Sequence, residues 1–498
     1  MRDRTTQILA GIVTLAAALR FPTLDVQSFW SDEAVTVLLL DGSFFDLLED
    51  IPDSESTPPL YYALAWPWTQ LFGTGEVGLR SLSALFGTLC VPAAFLAARE
   101  LVSARAGLVA AALVATNPLL VWYSQEARAY ALLVLLATLS LLFFARALRG
   151  DREGLAGWAL TAALALGTHY FALFVVLPQA LWLLWRVRPL RGTAAAVAVP
   201  GAAGLVLLPL ALHQRSNEGA AFIEDSGLGF RLAQVPKQFL VAFDAPAEVL
   251  LTVLAAALAA AGLALLALRA PRADQHGAAV AAAIGAAALL IPLALAVAGV
   301  DFILTRNLIA ALVPLLIVFA AGLGARAAGV TGPAVAAALC TLWAVLIVWV
   351  AAEPDYHRQN WRGAAQVLGP PAVDRVVVAT PVNGSEPLQV YLPGARVVRF
   401  DEVIPVREVD YLGLVRRSPG EEAVQPLEPT PDAPGLGGFT LVERVQGEQF
   451  LVLRYAGPAP QPARPPEIAR FKLDDGFSVI LHQPSGAGAA DARRPGGS

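Results

Sequence analysis

A few charged side chains in an otherwise apolar sequence have types and spacings that could support chemistry. Asp32 and Glu33 are adjacent within an acidic segment, and Glu126 lies two residues before Arg128. A carboxylate can take a proton from a hydroxyl group, and an arginine guanidinium can bind phosphate oxygens with parallel N–H groups. This combination predicts a site at which a hydroxyl attacks a substrate that carries an anionic group.

Further polar residues lie near the ends of apolar runs, and each has a structural explanation beside the functional one. Adjacent acids also cap helices, an arginine near a membrane surface can snorkel to it, and a single histidine is more often structural than catalytic. Glu126 and Tyr130 are four residues apart, which would place them on one face of a helix. The candidate substrate-binding residues are Arg80, Gln125, Arg128, Tyr130, His169, Tyr170, Arg306, Tyr61 and Tyr62.

The elements that must position these residues are mostly membrane-embedded. Of the 498 residues, 56% are hydrophobic and 15% are charged, and the charge is uneven. Residues 353–498 hold 33 charged side chains in 146 positions, whereas residues 1–352 hold 42 in 352. Apolar runs of about 20 residues match a hydrocarbon core about 30 Å thick. The sequence predicts an all-α transmembrane domain over 1–352, a small extracytoplasmic α/β domain over 353–483 and a disordered tail over 484–498.

One of the twelve apolar runs is not expected to cross the bilayer. The run 57–72 is rich in Tyr and Trp and contains Pro67, which is typical of an interfacial helix. If it stays at the outer interface, 13 Lys and Arg residues lie inside and 5 outside, as the positive-inside rule requires. We therefore expect a plasma (inner) membrane protein with a cytoplasmic N-terminus and an external C-terminal domain. The eleven expected spans are 6–24, 77–98, 106–122, 128–147, 154–168, 169–185, 193–213, 247–268, 277–299, 307–325 and 332–352.

The polar C-terminal part predicts alternating strands and helices, hence an α/β layer. Proline-rich residues 457–466 predict a linker. The expected strands are 375–379, 395–400, 409–415, 439–445 and 449–454, and the expected helices are 361–368 and 384–392.

Composition argues against several other functions. A net charge of −5 without a basic tract argues against a nucleic-acid partner, and the α/β part lacks a Gly-x-Gly-x-x-Gly loop for a nucleotide. Cys90 and Cys340 both lie inside apolar runs, which is typical of small core side chains.

Seven short motifs, in their order and spacing, resemble one family over about residues 8–370. The family is that of the polyprenyl-phosphate-dependent glycosyltransferases of the GT-C fold, which includes protein O-mannosyltransferases and aminoarabinose transferases; the bacterial branch often called family 39 is most similar. The motifs are Ser28–Ala34, Pro58–Tyr62, Gly78–Ala84, Tyr123–Tyr130, Thr168–Tyr170, Phe302–Arg306 and Asn360–Arg362.

The resemblance implies a membrane enzyme that passes a sugar from a polyprenyl-phosphate donor to an acceptor on the outer face. It implies interfacial juxtamembrane helices and a catalytic acid in the first outer loop, which corresponds to Asp32 with Glu33 beside it. Relatives often have His where this chain has Thr57, and Arg-Tyr where it has Arg306-Asn307. These two departures weaken any metal or phosphate role at the first position and remove a tyrosine at the second.

The mechanism expected from these residues is a single in-line displacement. Asp32 takes the proton of the acceptor hydroxyl of a cell-envelope lipid, glycan or protein, and Arg80, Arg128 or Arg306 stabilises the departing lipid phosphate. Asp32, Glu33 and Glu126 could also give oxygen ligands to a divalent cation, although the sequence shows no closed ligand set.

Two alternatives from other classes stay open at this point. A transporter or flippase of lipid-linked sugars would more often show paired inverted halves with charges near the bilayer centre, whereas the polar residues here gather on one face. A glycan-binding scaffold with a decayed site would not be expected to retain Asp32, Glu33, Glu126 and Arg306 together.

Overall fold

The computed structural model describes residues 2–216, 227–414, 434–447, 449–471, 473 and 477–485. The chain forms two compact units. A helical unit comprises Met1–Leu24 and Gly42–Ala352, and an α/β unit comprises Asp25–Asp41 and Glu353–Ser498. The short segment that carries Asp32 and Glu33 therefore belongs to the α/β unit, although it lies far from the rest of that unit in sequence.

The predicted apolar runs correspond to helices, whereas α2, α3 and α12 lie outside those runs. Every one of the eleven expected spans is helical, and the run 57–72 is the short helix α4. Of the helices α1 to α16, all except α2 belong to the helical unit. The helices are α1 (Arg2–Ala18), α2 (Ser31–Leu40), α3 (Phe44–Ser54), α4 (Leu60–Phe72), α5 (Glu76–Leu101), α6 (Ala104–Thr116), α7 (Pro118–Ser124), α8 (Tyr130–Ala147), α9 (Arg152–Thr168), α10 (Leu173–Arg186), α11 (Leu190–Ser216), α12 (Leu228–Val241), α13 (Glu248–Arg269), α14 (Arg272–Val297), α15 (Leu312–Leu323) and α16 (Thr331–Ala352).

Among the described residues, seven helical segments are both long and apolar enough to cross a membrane, and α6 with α7 makes an eighth if the bent pair is one span. The three other expected spans correspond to helical segments of 17 residues, which is at the lower limit for crossing: α1, α9 and Tyr170–Arg186. Helix α4 has 13 residues, about 20 Å of helix, which is too short to cross. The seven segments are α5, α8, α11, α13, α14, Thr305–Leu323 and α16.

The residues Asn117 and Pro118 explain the break between α6 and α7. The Asn117 side chain accepts a hydrogen bond from the Leu120 N–H at 3.1 Å and so caps α7. Pro118 occupies the first turn, where its missing N–H costs nothing. The two helices consequently meet at an angle of 59°.

Small residues allow helices of this unit to approach closely. A Cβ added at Gly322 would lie only 1.9 Å from the backbone oxygen of Gly262, so α15 and α13 contact each other through their backbones. Such close pairs are common where helices pack inside a bilayer.

In the described residues, the α/β unit is built on a six-stranded mixed sheet with helices packed against it. The strand order is β2-β6-β1-β3-β5-β4, and β1 pairs in parallel with β3 while the other pairs are antiparallel. One hydrophobic cluster includes Trp361 and Leu388, and the other includes Tyr411 and Tyr455. The elements are α17 (Trp361–Leu368), β1 (Arg375–Thr380), α18 (Ser385–Tyr391), β2 (Arg396–Val397), β3 (Ile404–Leu414), β4 (Thr440–Gln446), β5 (Phe450–Ala463), α19 (Pro465–Ile468) and β6 (Val479–Gln483).

The predicted fold class is confirmed, with corrections in the α/β unit. The expected linker 457–466 is wrong, because β5 continues to Ala463 and pairs there with Ile404, and α19 follows. Prolines are tolerated in the second half of β5, after Ala456, because that half pairs with β3 but not with β4. The run 395–400 shortens to two strand residues, and β6 was missed. Ser485, in the expected tail, donates to Asp374; position 415 and the tail beyond 485 lie outside the described residues.

Candidate active site

Arg128 forms a buried, two-pronged ion pair with Glu55. Nη1 and Nη2 of Arg128 lie 2.6 and 2.8 Å from Oε1 and Oε2 of Glu55, and both side chains are almost completely buried. The guanidinium also lies over the Tyr62 ring, 5.9 Å from its centre. Arg128 was predicted from the sequence to bind phosphate, but its partner Glu55, 73 positions away, was not predicted.

Two tyrosines of α4 extend this buried polar region. The Tyr62 hydroxyl and Thr57 Oγ1 are 3.0 Å apart, and the Tyr61 hydroxyl and Ser83 Oγ are 3.1 Å apart. Thr57 is thus the hydroxyl partner of Tyr62 at the position where relatives were expected to have histidine. These contacts explain why both tyrosines are fully buried.

The turn between α7 and α8 carries Gln125 and Glu126, and its structure corrects one expectation. Because α7 ends at Ser124 and α8 begins at Tyr130, Glu126 and Tyr130 are not on one face of a continuous helix. The buried Glu126 accepts a hydrogen bond from the Trp122 indole at 2.7 Å. Gln125 donates to the Thr23 hydroxyl at 2.6 Å and to the Arg20 carbonyl at 3.0 Å.

Arg20 is a fully buried arginine that sequence analysis missed. Its guanidinium donates to the carbonyls of Val114 and Ala115, at the end of α6, and to the Ser124 hydroxyl at the end of α7. It therefore satisfies carbonyl groups that the helix break leaves without helical partners. The available signal was a charge inside an expected span, the same signal that selected Arg80.

His169 joins several predicted site residues. Its ring lies 5.8 Å from that of Tyr130 and is close enough to Arg128 and Arg306 for both positive charges to act on it. Its Nδ1 accepts the Phe171 N–H at 3.3 Å, which is a structural role at the end of α9. The neighbouring Tyr170 hydroxyl donates to Gln214 at 2.7 Å.

The segment that carries Arg306 is anchored by an ion pair that was also missed. Arg231 on α12 binds both carboxylate oxygens of Asp301, at 2.9 and 2.6 Å, and the Ile303 carbonyl at 2.9 Å. The hydrogen bonds from Arg231 hold the pKa of the Asp301 carboxyl below its usual value. Arg306 follows in a short 3₁₀ turn, Thr305–Ala311.

Arg80 is buried near the start of α5. Its Nη1 donates to the Leu24 carbonyl at 2.7 Å, and only 3% of the residue is exposed. The structural alternative for Arg80, a side chain that snorkels to the membrane surface, does not fit so deeply buried a residue. The helical unit thus brings together the start of α8, the end of α9 and Arg306, and Ser83 of α5 donates to the Arg128 carbonyl at 3.4 Å.

A large apolar cavity adjoins the Arg306 segment. It has a volume of about 530 Å³ and is lined by residues of α12 to α16 and by Ile303 and Leu308, which flank Arg306 in the chain. Other lining residues include Phe239, Phe319 and Trp343. This size is within the usual range for small-ligand pockets.

In the α/β unit, Asp32 and Glu33 occupy the first turn of α2. Trp30 precedes the helix without a side-chain cap, so neither acid is the N-cap, but both benefit from the positive end of the helix. Asp32 is half-buried and Glu33 is fully buried. Burial raises the pKa of the Glu386 carboxyl on α18, and the charge of nearby Asp32 raises it further.

No metal centre is evident in the part of the chain that the structure describes. It contains no group of three or more His, Cys, Asp or Glu side chains that could hold a metal ion. A divalent cation held by Asp32, Glu33 and Glu126 stays a prediction from sequence.

The fold is that of a known group of membrane transferases. ArnT of Cupriavidus metallidurans bound to undecaprenyl phosphate superposes with a TM-score of 0.57 at 14% identity, over 90% of this chain and 98% of that one. Arabinofuranosyltransferase AftD from Mycobacteria matches with a TM-score of 0.47 at 16% identity, over 92% of this chain and 41% of that one. The chain is therefore a multi-pass membrane protein with the GT-C glycosyltransferase fold.

A family model also matches part of the chain. Residues 56–212 match the model described as dolichyl-phosphate-mannose-protein mannosyltransferase. The resemblance inferred from the motifs is thereby confirmed. The sequence matches none of the curated proteins with which it was compared. Nothing in these comparisons supports a transporter.

Proposed function

We propose that this protein transfers a sugar from a polyprenyl-phosphate donor to a hydroxyl group of a cell-envelope lipid, glycan or protein. The observation that carries the proposal is the apolar cavity, because Ile303 and Leu308 in its wall flank Arg306. A lipid chain in the cavity would bring its phosphate to a cationic side chain. The similar ArnT structure is bound to undecaprenyl phosphate, which supports this class of donor.

The chemistry follows from the types of residue available. Asp32 accepts the proton of the acceptor hydroxyl as its oxygen bonds to the anomeric carbon, and the bond from that carbon to the phosphate oxygen breaks. The leaving lipid phosphate keeps the electron pair and is stabilised by Arg306. We assign Arg306 this role because Ile303 and Leu308, on either side of it in the chain, line the cavity, whereas both terminal nitrogens of Arg128 bind Glu55.

The proposed setting is the outer face of the plasma membrane, with the N-terminus cytoplasmic and the α/β unit external. The distribution of Lys and Arg supports this orientation.

Asp32→Asn tests the assignment, since the amide cannot accept the proton. In a host that lacks the protein, wild-type chain is expected to restore one envelope glycan seen by mass spectrometry, and the variant to reduce it at least about 100-fold. Binding of undecaprenyl phosphate to the purified variant, measured by thermal shift, should be retained.

Asp41→Asn is the matched control, because Asp41 is an exposed acid at the other end of the same helix. It should restore the glycan fully. Wild-type glycan levels with Asp32→Asn would refute the role of Asp32, and an unchanged envelope in the host without the protein would refute the transferase function.

A further inference from the structure

The acid-bearing helix α2 is built into the α/β unit by side-chain and backbone hydrogen bonds. Ser28 Oγ donates to the Gln359 carbonyl at 2.8 Å and accepts the Trp361 N–H at 3.2 Å. Arg362 donates to the Asp25 carbonyl at 2.7 Å. These contacts join the segment before α2 to the start of α17, more than 330 positions later in the chain.

A second set of contacts reaches α2 from α18. The Phe29 N–H donates to the Tyr391 hydroxyl at 2.7 Å, and the two rings are stacked with centres 6.3 Å apart. Phe29 is 1% exposed and lies two residues before the first residue of α2. At the other end of α18, Glu386 is close enough to Asp32 for their charges to interact. Helix α18 therefore contacts α2 at the turn that contains the acids.

We propose that Tyr391 is a positioning residue for Asp32. In this proposal the α/β unit contributes to the reaction by fixing the position of α2 within the unit, and with it the position of Asp32. This inference rests on the proposed function, in which Asp32 is the base. The physical reason is that a base must be held within hydrogen-bond reach of the proton it removes, and a shift of about 1 Å can cost about 100-fold in rate.

The variant that tests this is Tyr391→Phe, which keeps the ring stack and removes the hydroxyl that accepts the Phe29 N–H. The matched control is Tyr411→Phe in the same unit. It removes a buried tyrosine hydroxyl that donates to the Ile468 carbonyl at 2.8 Å, in the cluster that contains Tyr455 and not in the one that contains Trp361.

The first readout is amide hydrogen exchange of the purified full-length chain, which needs no substrate. Tyr391→Phe should accelerate exchange in peptides covering residues 25–41 at least about 10-fold and leave β1 and β3 unchanged, whereas Tyr411→Phe should leave 25–41 unchanged. The same exchange in 25–41 for both variants would overturn the inference.

The second readout is transfer, measured with the donor and acceptor that the glycan analysis identifies. Tyr391→Phe should lower kcat about 10-fold or more with little change in the KM for the lipid donor, and Tyr411→Phe should change neither. Faster exchange with unaltered kcat would overturn the inference. If wild-type chain restores no glycan, the proposed function fails, and the exchange data alone then decide whether Tyr391 holds α2.

Discussion

The charged residues at the two ends of the helical unit differ in burial and in pairing. At the site end, which contains Glu55, Arg128, His169 and Arg306, the guanidinium of Arg128 meets one carboxylate through both terminal nitrogens, and both side chains are buried. At the Glu100 end, where α5 and α8 finish, the arginines share one carboxylate. Those arginines, Arg99, Arg146 and Arg149, are 42%, 33% and 61% exposed.

The contrast separates two uses of positive charge in a membrane protein. An exposed arginine at the end of a span needs only its charge to bias orientation, so its geometry is loose. A buried arginine must be matched by a partner that compensates its lost hydration. The buried Arg128–Glu55 pair therefore gives the site end a fixed geometry, as a binding site requires.

The largest effect is expected from Glu55→Gln, which removes the carboxylate that binds both terminal nitrogens of the buried Arg128. The free energy of unfolding should fall by about 3–5 kcal/mol, measured by SDS titration of the detergent-solubilised protein. Replacing both residues, Glu55→Leu with Arg128→Met, should recover much of this loss because both charges of the buried pair are then removed. A loss below about 1 kcal/mol for the single variant would show that the site end is as tolerant as the Glu100 end.

An intermediate effect is expected from Arg231→Met. Asp301 loses its charged hydrogen bonds but is 21% exposed and can be hydrated, so the loss should be about 1–3 kcal/mol. Because the segment 301–306 is anchored by this pair, glycan restoration in the host should also fall. Lys237, paired with Glu248 at 2.9 Å and more exposed, supplies a control as Lys237→Met. Equal loss of transfer in both variants would argue against a specific role for the Arg231 pair.

The smallest effect is expected from Glu100→Gln. Its arginine partners are already hydrated, so unfolding should change by no more than about 1 kcal/mol and glycan restoration should be unaffected. The same SDS titration and glycan analysis measure both. A loss above about 2 kcal/mol would remove the contrast between the two ends.

Local pattern predicted the apolar helices well because a membrane span needs only a continuous apolar run, but it did not predict α3 or α12. All eleven expected spans are helical, and Asn117-Pro118 marks the break in one of them. The polar strands were harder: β6 was missed and the prolines of β5 were taken for a linker. Proline signals an edge or a loop equally well, and the choice depends on which strand lies beside it.

Several residues of the candidate site were predicted from the sequence, but the residues with which they form ion pairs and hydrogen bonds were not. The Phe302–Arg306 motif identified Arg306, yet nothing local indicates that Arg231 anchors its segment. Likewise, a charge inside an expected span could have identified Arg20, but its contacts with the end of α6 could not be read from its neighbours.

By itself, the sequence determined that this is a membrane protein with a polar C-terminal part, and which few polar residues are candidates for a site. Apolar length and charge scarcity carry that information because hydrocarbon excludes charge at every position. Only the tertiary structure decided that Glu55 compensates Arg128 and that the helix bearing Asp32 belongs to the α/β unit. Pairings across 73 and more than 330 positions depend on how the whole chain packs, and no local periodicity records them.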